Sequence, residues 1–165
     1  VQMKQINLTT KITVYSYDEC TELEKKLIDA AKEATSNAYA PYSEFYVGAA
    51  LLLENGQIIT GNNQENAAYP SGLCAERTAV FYANAQYPNQ KIEALAIAAF
   101  NNGDFTLDIT SPCGSCRQVL LEVESRYNSD VKILMYNRKN EVYVAESIIS
   151  LMPLSFDKKS LNSEI

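Results

Sequence analysis

Two short phrases constrain this chain more than any other feature: Cys74-Ala75-Glu76-Arg77 and Ser111-Pro112-Cys113-Gly114-Ser115-Cys116. Ser111 suits a helix N-cap and Pro112 the first helical position. Cys113 and Cys116 then lie near the helix start, three apart and on one face. Cys74 is expected at the matching place on a second helix. Glu76 stands only two residues from Cys74. In a helix body such a pair diverges, but first-turn side chains lean toward the N-terminus and can flank one point beyond the helix end. A fold that satisfies both phrases must therefore bring two helix starts together.

The chemistry of that meeting point follows from what the chain has and lacks. It holds four cysteines and no histidine. The absence of imidazole excludes Ser-His-Asp and Cys-His mechanisms. No charged-then-apolar leader opens the sequence, so secretion is not expected, and the cysteines are expected as metal ligands or reduced thiols. Cys74, Cys113 and Cys116 read as a zinc site of three thiolates, with the fourth position open to water and the Glu76 carboxylate beside it. An open position distinguishes a catalytic zinc from a structural one. Three thiolates leave the ion with net negative charge. Two helix N-termini and the Arg77 guanidinium can withdraw that charge and restore acidity to the water. The competing reading is a structural clip with Cys20 as fourth thiolate and Glu76–Arg77 as a surface pair. Otherwise Cys20 is a passive core or surface thiol.

Size and charge narrow the rest. A chain of 165 residues with 47% hydrophobic residues is expected to fold as one domain with a real core. Its apolar runs are too short to cross a bilayer. The net charge is -6 with pI near 4.7, and no dense Lys/Arg cluster is present. Nucleic-acid binders need a basic surface to displace counterions from phosphates. A small neutral substrate fits this balance better, and neither a nucleic-acid nor a membrane partner is expected.

Periodicity places the two phrases in a fold. Residues 1–20 read as an N-terminal extension with a short strand near Ile12–Tyr15. Leu23, Leu27, Ala30, Ala31, Ala34 and Ala38 recur at helical spacing, with Thr21 and Glu24 forming a capping box and Pro41 ending the helix. Asn55-Gly56 marks a tight hairpin between Phe45–Leu53 and Gln57–Gly61. A helix follows over about 72–85, then a buried strand at Ile92–Phe100 and a helix from Pro112 to about Arg126. Val131–Tyr136 and Glu141–Ala145 are too closely connected to be anything but antiparallel. Ser147–Leu151 adds a helical turn or two, and 157–165 is a polar tail. The order predicts an α/β fold: a three-layer α-β-α sandwich with a mixed sheet of about five strands and helices on both faces. The strands joined by helical crossovers should be parallel, and both cysteine phrases fall at strand-to-helix junctions, the edge where such sheets place ligands.

Several segments together resemble the cytidine deaminases of the small homotetrameric, zinc-dependent type. They are Pro41-Tyr42-Ser43 with Phe45, Val47-Gly48-Ala49-Ala50, Gly61-Asn62-Asn63-Gln64-Glu65-Asn66-Ala67 with Tyr69, and the two cysteine phrases. The resemblance runs from about residue 21 to 156. It implies one zinc per subunit on Cys74, Cys113 and Cys116, proton transfer by Glu76, and Arg77 contacting the ligand sulfurs. It implies ribose contacts from Asn63 and Glu65 and an aromatic beside the substrate in Phe45; from the chemistry of the site itself, the Ala75 backbone N–H suits the base carbonyl. Ala67 and Tyr69 would reach the substrate of a neighbouring subunit, and Phe156 would stack on a base across the interface. The extension at 1–20 and the tail after Phe156 depart from the family pattern.

The activity so implied is hydrolytic deamination of cytidine and deoxycytidine to uridine and deoxyuridine plus ammonia, in cytoplasmic pyrimidine salvage. A Glu65 carboxylate expected to be buried, and the lack of a Gly-rich phosphate cradle, favour a free nucleoside over a nucleotide. Two other readings stand beside it: a deaminase for a different amino-heterocycle, and a zinc-stabilised binding protein without chemistry. Taken singly, Asn63 and Glu65 also fit a turn, and Phe45 and Phe156 also fit a core.

Overall fold

In the computed structural model, which describes residues 3–161, one mixed sheet of seven strands runs through the molecule. In chain order the elements are β1 (Thr13–Ser16), α1 (Glu22–Ala34), β2 (Tyr46–Leu53), β3 (Ile58–Asn62), α2 (Ala75–Gln86), β4 (Ile92–Asn101), β5 (Asp104–Phe105), α3 (Gly114–Tyr127), β6 (Lys132–Tyr136), β7 (Glu141–Ala145) and α4 (Lys158–Leu161). The strand order is β1-β7-β6-β4-β2-β3, with β5 paired to β4. Only β4 and β6 are parallel neighbours. β2 lies between β3 and β4 and is antiparallel to both, so β3, β4 and β6 all point the same way. The loops leaving β3 and β4 for α2 and α3 therefore emerge at one edge.

The helix layers follow from side-chain size. On β4, Leu95, Ile97 and Ala99 face one core, with Ala75, Ala79 and Val80 of α2 and Leu120, Leu121 and Val123 of α3. Ala94, Ala96 and Ala98 face the other core, with Leu27, Ile28 and Ala31 of α1. Glu93, the one charged residue of this strand, is accommodated by a shift of register. Leu52 pairs with Ala94 and Leu53 with Ile92, which leaves Glu93 unpaired and exposed. The expected capping box is present: Glu24 N donates to Thr21 Oγ1 (3.2 Å) and Thr21 N to Glu24 Oε2 (2.9 Å).

Three details differ from the sequence expectation. The sheet has seven strands and not about five. One of the two extra strands is β1, the short strand expected near Ile12–Tyr15, which joins the sheet by pairing with β7 from Thr13↔Val144 to Ser16↔Glu141. The other is β5, formed by a two-residue turn at Asn102-Gly103, where both residues take positive φ (54° and 85°). The Asn55-Gly56 turn is looser than expected. Only Gly56 has positive φ (83°), and Leu53 accepts from Gly56 N (2.8 Å) while donating to Gln57 O (2.9 Å). Helix α1 stops at Ala34 and tightens to a 3₁₀ turn at Thr35–Asn37. There the Thr35 and Ser36 hydroxyls donate back to Lys32 O (2.7 Å) and Glu33 O (2.8 Å), in competition with the helix ladder.

Gly48 sets how closely α1 lies on β2. A Cβ there would stand 2.0 Å from Ala31 O and 2.8 Å from Thr35 N, both backbone atoms that cannot swing aside. We predict that Gly48→Ala lowers stability by about 3 kcal/mol. Gly56→Ala, which meets open space and only the left-handed backbone penalty, should cost about 1–2 kcal/mol. Urea-unfolding midpoints of the two variants check the order.

Candidate metal centre and substrate cavity

Cys74 is the N-cap of α2 and Cys113 the N-cap of α3, both in extended conformation (φ -71°, ψ 155° and φ -66°, ψ 169°). Neither sulfur caps its own helix, so the open N–H ends of two helices face the thiols. The expected cap at Ser111 is displaced by two residues. Helix α3 begins at Gly114, and the Ser111 hydroxyl instead accepts from Arg117 Nη2 (2.9 Å). Gly61 on β3 lets α2 sit flush against the sheet, since a Cβ there would lie 2.6 Å from Ala75 O and from Ala79 N. That seating fixes where the start of α2 reaches.

The three sulfurs converge. Cys74 Sγ is 3.8 Å from Cys113 Sγ, Cys113 Sγ is 3.5 Å from Cys116 Sγ, and all three lie within 4.8 Å of one another. Tetrahedral zinc–thiolate bonds of about 2.3 Å require sulfurs about 3.8 Å apart, so the trio fits zinc. Among the described residues the group contains three sulfurs and no fourth donor. Cys20 packs in the α1-side core with Leu27 and Ile28, its thiol 3.8 Å from Ser16 O, and is not part of the group.

Charge is balanced inside this cluster. Arg77 Nη2 donates to Cys74 Sγ (3.6 Å). Hydrogen bonds from Cys116, and then from Arg77 and Cys113, bring the Cys74 thiol down to about 5. Cys116, which donates to Cys74 and is itself buried, is pushed up. The Arg77 guanidinium is raised by the same Cys74 contact. Glu76 is 5% exposed. Burial pushes its carboxyl up to about 7, and the Cys74 charge pushes the same way against its own backbone N–H and the Cys116 thiol.

Beside the sulfurs lies a cavity of about 420 Å³, lined by Phe45, Asn63, Glu65, Ala75, Glu76 and Cys113 among others. A second recess of about 530 Å³ shares Asn63, Glu65 and Cys74 and extends to Tyr69 and Arg77. Asn63 ties the end of β3 to β2: its Oδ1 accepts from Val47 N (2.7 Å) and its Nδ2 donates to Phe45 O (2.8 Å). Glu65 accepts from Tyr42 N (2.9 Å), Ser43 N (3.3 Å) and the Ser43 hydroxyl. The Ser43 bond is the main cause that holds its carboxyl below the usual range. Glu65 is half-buried and not buried as expected, since it lies past the end of β3 between the exposed Gln64 and Asn66.

A family model for the cytidine and deoxycytidylate deaminase zinc-binding region matches residues 21–129. This chain belongs to that deaminase family. It is 41% identical over 138 residues to the cytidine deaminase of Sporosarcina psychrophila, a match covering 84% of this chain and 94% of that one. It is 38% identical over 136 residues to the cytidine deaminase of Halalkalibacterium halodurans, covering 82% and 96% respectively. Among solved structures, the cytidine deaminase of Burkholderia pseudomallei superimposes with a TM-score of 0.69 at 38% identity, covering 83% of this chain and all of that one.

Within this deaminase the expected site residues divide into two groups. Phe45, Asn63, Glu65, Ala75 and Glu76 meet the cysteines around one cavity, and Arg77 backs the sulfurs. Ala67, Tyr69 and Phe156 lie on the surface outside that cavity, with Tyr69 75% and Phe156 60% exposed. Two contributors were not singled out in the sequence. Ser43 clamps Glu65 and also accepts from Phe45 N (3.1 Å), and its only signal was its place in Pro41-Tyr42-Ser43. Arg117 gave a weaker signal, a cation near the start of a helix, where the dipole disfavours it.

Asn63→Asp keeps the acceptor for Val47 N but turns the donor to Phe45 O into a second acceptor. We expect it to cost about 1–3 kcal/mol of stability. The Phe45 resonances, followed by NMR, should broaden as the aromatic loses its backbone anchor.

Proposed function

We propose that this chain catalyses zinc-dependent hydrolytic deamination of cytidine and deoxycytidine to uridine and deoxyuridine, releasing ammonia, as a pyrimidine-salvage enzyme. The observation that carries the reading is Glu76: a buried carboxyl beside three converging thiols, opening on a cavity whose far wall carries Asn63 and Glu65. Cys74, Cys113 and Cys116 would hold the zinc. When bound, zinc supplies the Lewis acidity that makes water nucleophilic near neutral pH.

The remaining work falls to the side chains. Glu76 takes one proton of the attacking water and delivers it to N3 of the cytosine ring; it then takes the second from the hydroxyl added to C4 and passes it to the amine, which departs as ammonia as the C4 carbonyl forms. Its burial raises the carboxyl above the usual range, which eases the uptake of a proton between the two transfers. The Ala75 N–H, at the free start of α2, donates to the base carbonyl. Phe45 flanks the base. A carboxylate has about four acceptor positions. Glu65 already uses three on Tyr42 and Ser43, which leaves one for a sugar hydroxyl. Asn63 likewise retains one donor and one acceptor site beyond its two backbone bonds. These anchors hold both groups in place before the sugar arrives, and the Glu65 charge opposes a phosphate nearby.

The chain is proposed to act as a single domain over residues 1–165 and to assemble as a homotetramer. Ala67 and Tyr69 would then reach a neighbour's substrate and Phe156 would stack across the interface. The exposure of Tyr69 and Phe156 supports this. The cytoplasm is the proposed location: three clustered free thiols need a reducing compartment. No helix among the described residues is long and apolar enough to cross a membrane.

Turnover of cytidine by zinc-replete protein, followed as uridine formation, tests the activity. Glu76→Gln is expected to retain zinc and to lose on the order of 10²–10⁴ of the rate. A variant as active as the parent would reject Glu76 as the proton carrier. Light scattering is expected to give a mass of about four times 18.4 kDa. A monomer with full activity would remove the shared-site arrangement.

A further inference from the structure

Arg117 directly follows the ligand Cys116 and carries more than an ordinary helix residue needs. Its Nε donates to Pro112 O (2.8 Å), its Nη2 to Ser111 Oγ (2.9 Å) and its Nη1 to Leu151 O (2.8 Å). The first two acceptors lie in the loop that delivers Cys113. That loop leaves the sheet after Thr106, whose N–H still bonds Ala99 O (2.9 Å). Among the described residues, no backbone–backbone hydrogen bond is made by segment 107–112. Apart from the Lys139–Asp108 ion pair (3.7 Å), its hydrogen-bonded anchors are the two from Arg117. Cys113 is also the exposed member of the sulfur trio, whereas Cys116 is buried and Cys74 half-buried. The ligand with the least packing around it thus hangs from a loop that packs through Ile109 and the buried Pro112 but whose last residues before Cys113 are hydrogen-bonded to one guanidinium.

The third bond gives that fastening a fixed base. Leu151 closes the 3₁₀ turn Ile148–Leu151, and Ile148 is fully buried in the α2/α3 core. The buried Glu124 of α3 accepts from Ile148 N (2.8 Å) and the Ser147 hydroxyl (2.9 Å), so the turn is itself secured to α3. Thr10 of the N-terminal segment donates to Ser150 O (2.5 Å), adding a further tie. A guanidinium is suited to this task because its planar fork serves three acceptors at once, which an ammonium on a flexible stem does not.

The geometry points to Arg117 as a positioning residue for the metal: it holds the Ser111–Cys113 loop against the 148–151 turn, so that Cys113 stays within ligand distance of Cys74 and Cys116. This rests on the zinc-site reading above and adds a residue to it that touches neither metal nor substrate. Loss of the anchor lets Cys113 leave, and the metal follows.

The test measures zinc transfer from the loaded protein to a chromophoric chelator in excess, with no substrate present. Arg117→Lys keeps the charge but not the fork. It is expected to release zinc on the order of 10–100-fold faster than the parent, the range seen when partners behind metal ligands are removed. Ser111→Ala, which removes one of the three acceptors, should accelerate release several-fold and carries the test if Arg117→Lys does not fold. Gly48→Ala, which loosens the opposite face, is the control for general destabilisation and should leave release within about twofold of the parent. Release by the arginine variant within twofold of the parent, or no faster than by the Gly48 variant, overturns the assignment. So does an unchanged Ser111→Ala where that variant alone can be measured. Because no turnover is read, failure of the cytidine assay would strike the deaminase reading while leaving this result to stand by itself.

Discussion

The site depends on the shared direction of β3 and β4. With β2 between them and antiparallel to both, their C-terminal ends open on one edge, and the helices that follow both start there. Each start is marked by a cysteine at the N-cap that leaves the helix N–H groups unsatisfied by its own side chain. An N-terminal dipole is worth only about 0.3–1 kcal/mol at an exposed site. Two of them, aimed at a partly buried sulfur cluster with Arg77 alongside, provide the positive field that three thiolates require. Gly61 makes the arrangement possible at the level of a single atom, because any side chain there would push α2 off the sheet.

Within that field, neighbouring acids behave oppositely. Cys74, with hydrogen-bond donors on several sides, is driven toward its thiolate. Glu76, two residues later, is driven toward its neutral acid because burial outweighs the opposing pull of the Arg77 charge. One environment thus favours a charged ligand and a carboxyl poised to exchange protons. The separation arises from hydrogen-bond donors around the Cys74 sulfur and from burial of the Glu76 carboxyl. The substrate wall follows another logic: Asn63 and Glu65 are tied to backbone on β2 and on the 42–43 loop, so their free lone pairs point in fixed directions.

Much of this was legible in the sequence, for local reasons. Strand β4 announced itself by an apolar run with one charge, α1 by its stripe and its Thr21/Glu24 cap, and the site by cysteine spacing. What stayed hidden is long-range. The pairing of Thr13–Ser16 with β7 joins residues more than a hundred positions apart, and no local pattern encodes it. The Arg117–Leu151 bond spans 34 positions, also beyond the reach of a local pattern. The cap of α3 was placed two residues early because Ser-Pro is a good helix opening in isolation, whereas here Arg117 claims both the Ser111 hydroxyl and the Pro112 carbonyl. Glu65 looked like a buried acid because its role was inferred from the substrate side and not from the exposed loop that carries it.

Strand β1 has a meaning beyond adding a pair of hydrogen-bonded rungs. Without it, β7 would present its outer backbone groups to solvent, with Val142 and Val144 already buried beside it as a ready apolar template. Four residues, turned away at once by the Ser16-capped 3₁₀ turn Tyr17–Glu19, cover that template and offer too little length for another molecule to zip onto. The N-terminal segment thereby shields this edge of the sheet against pairing with another molecule.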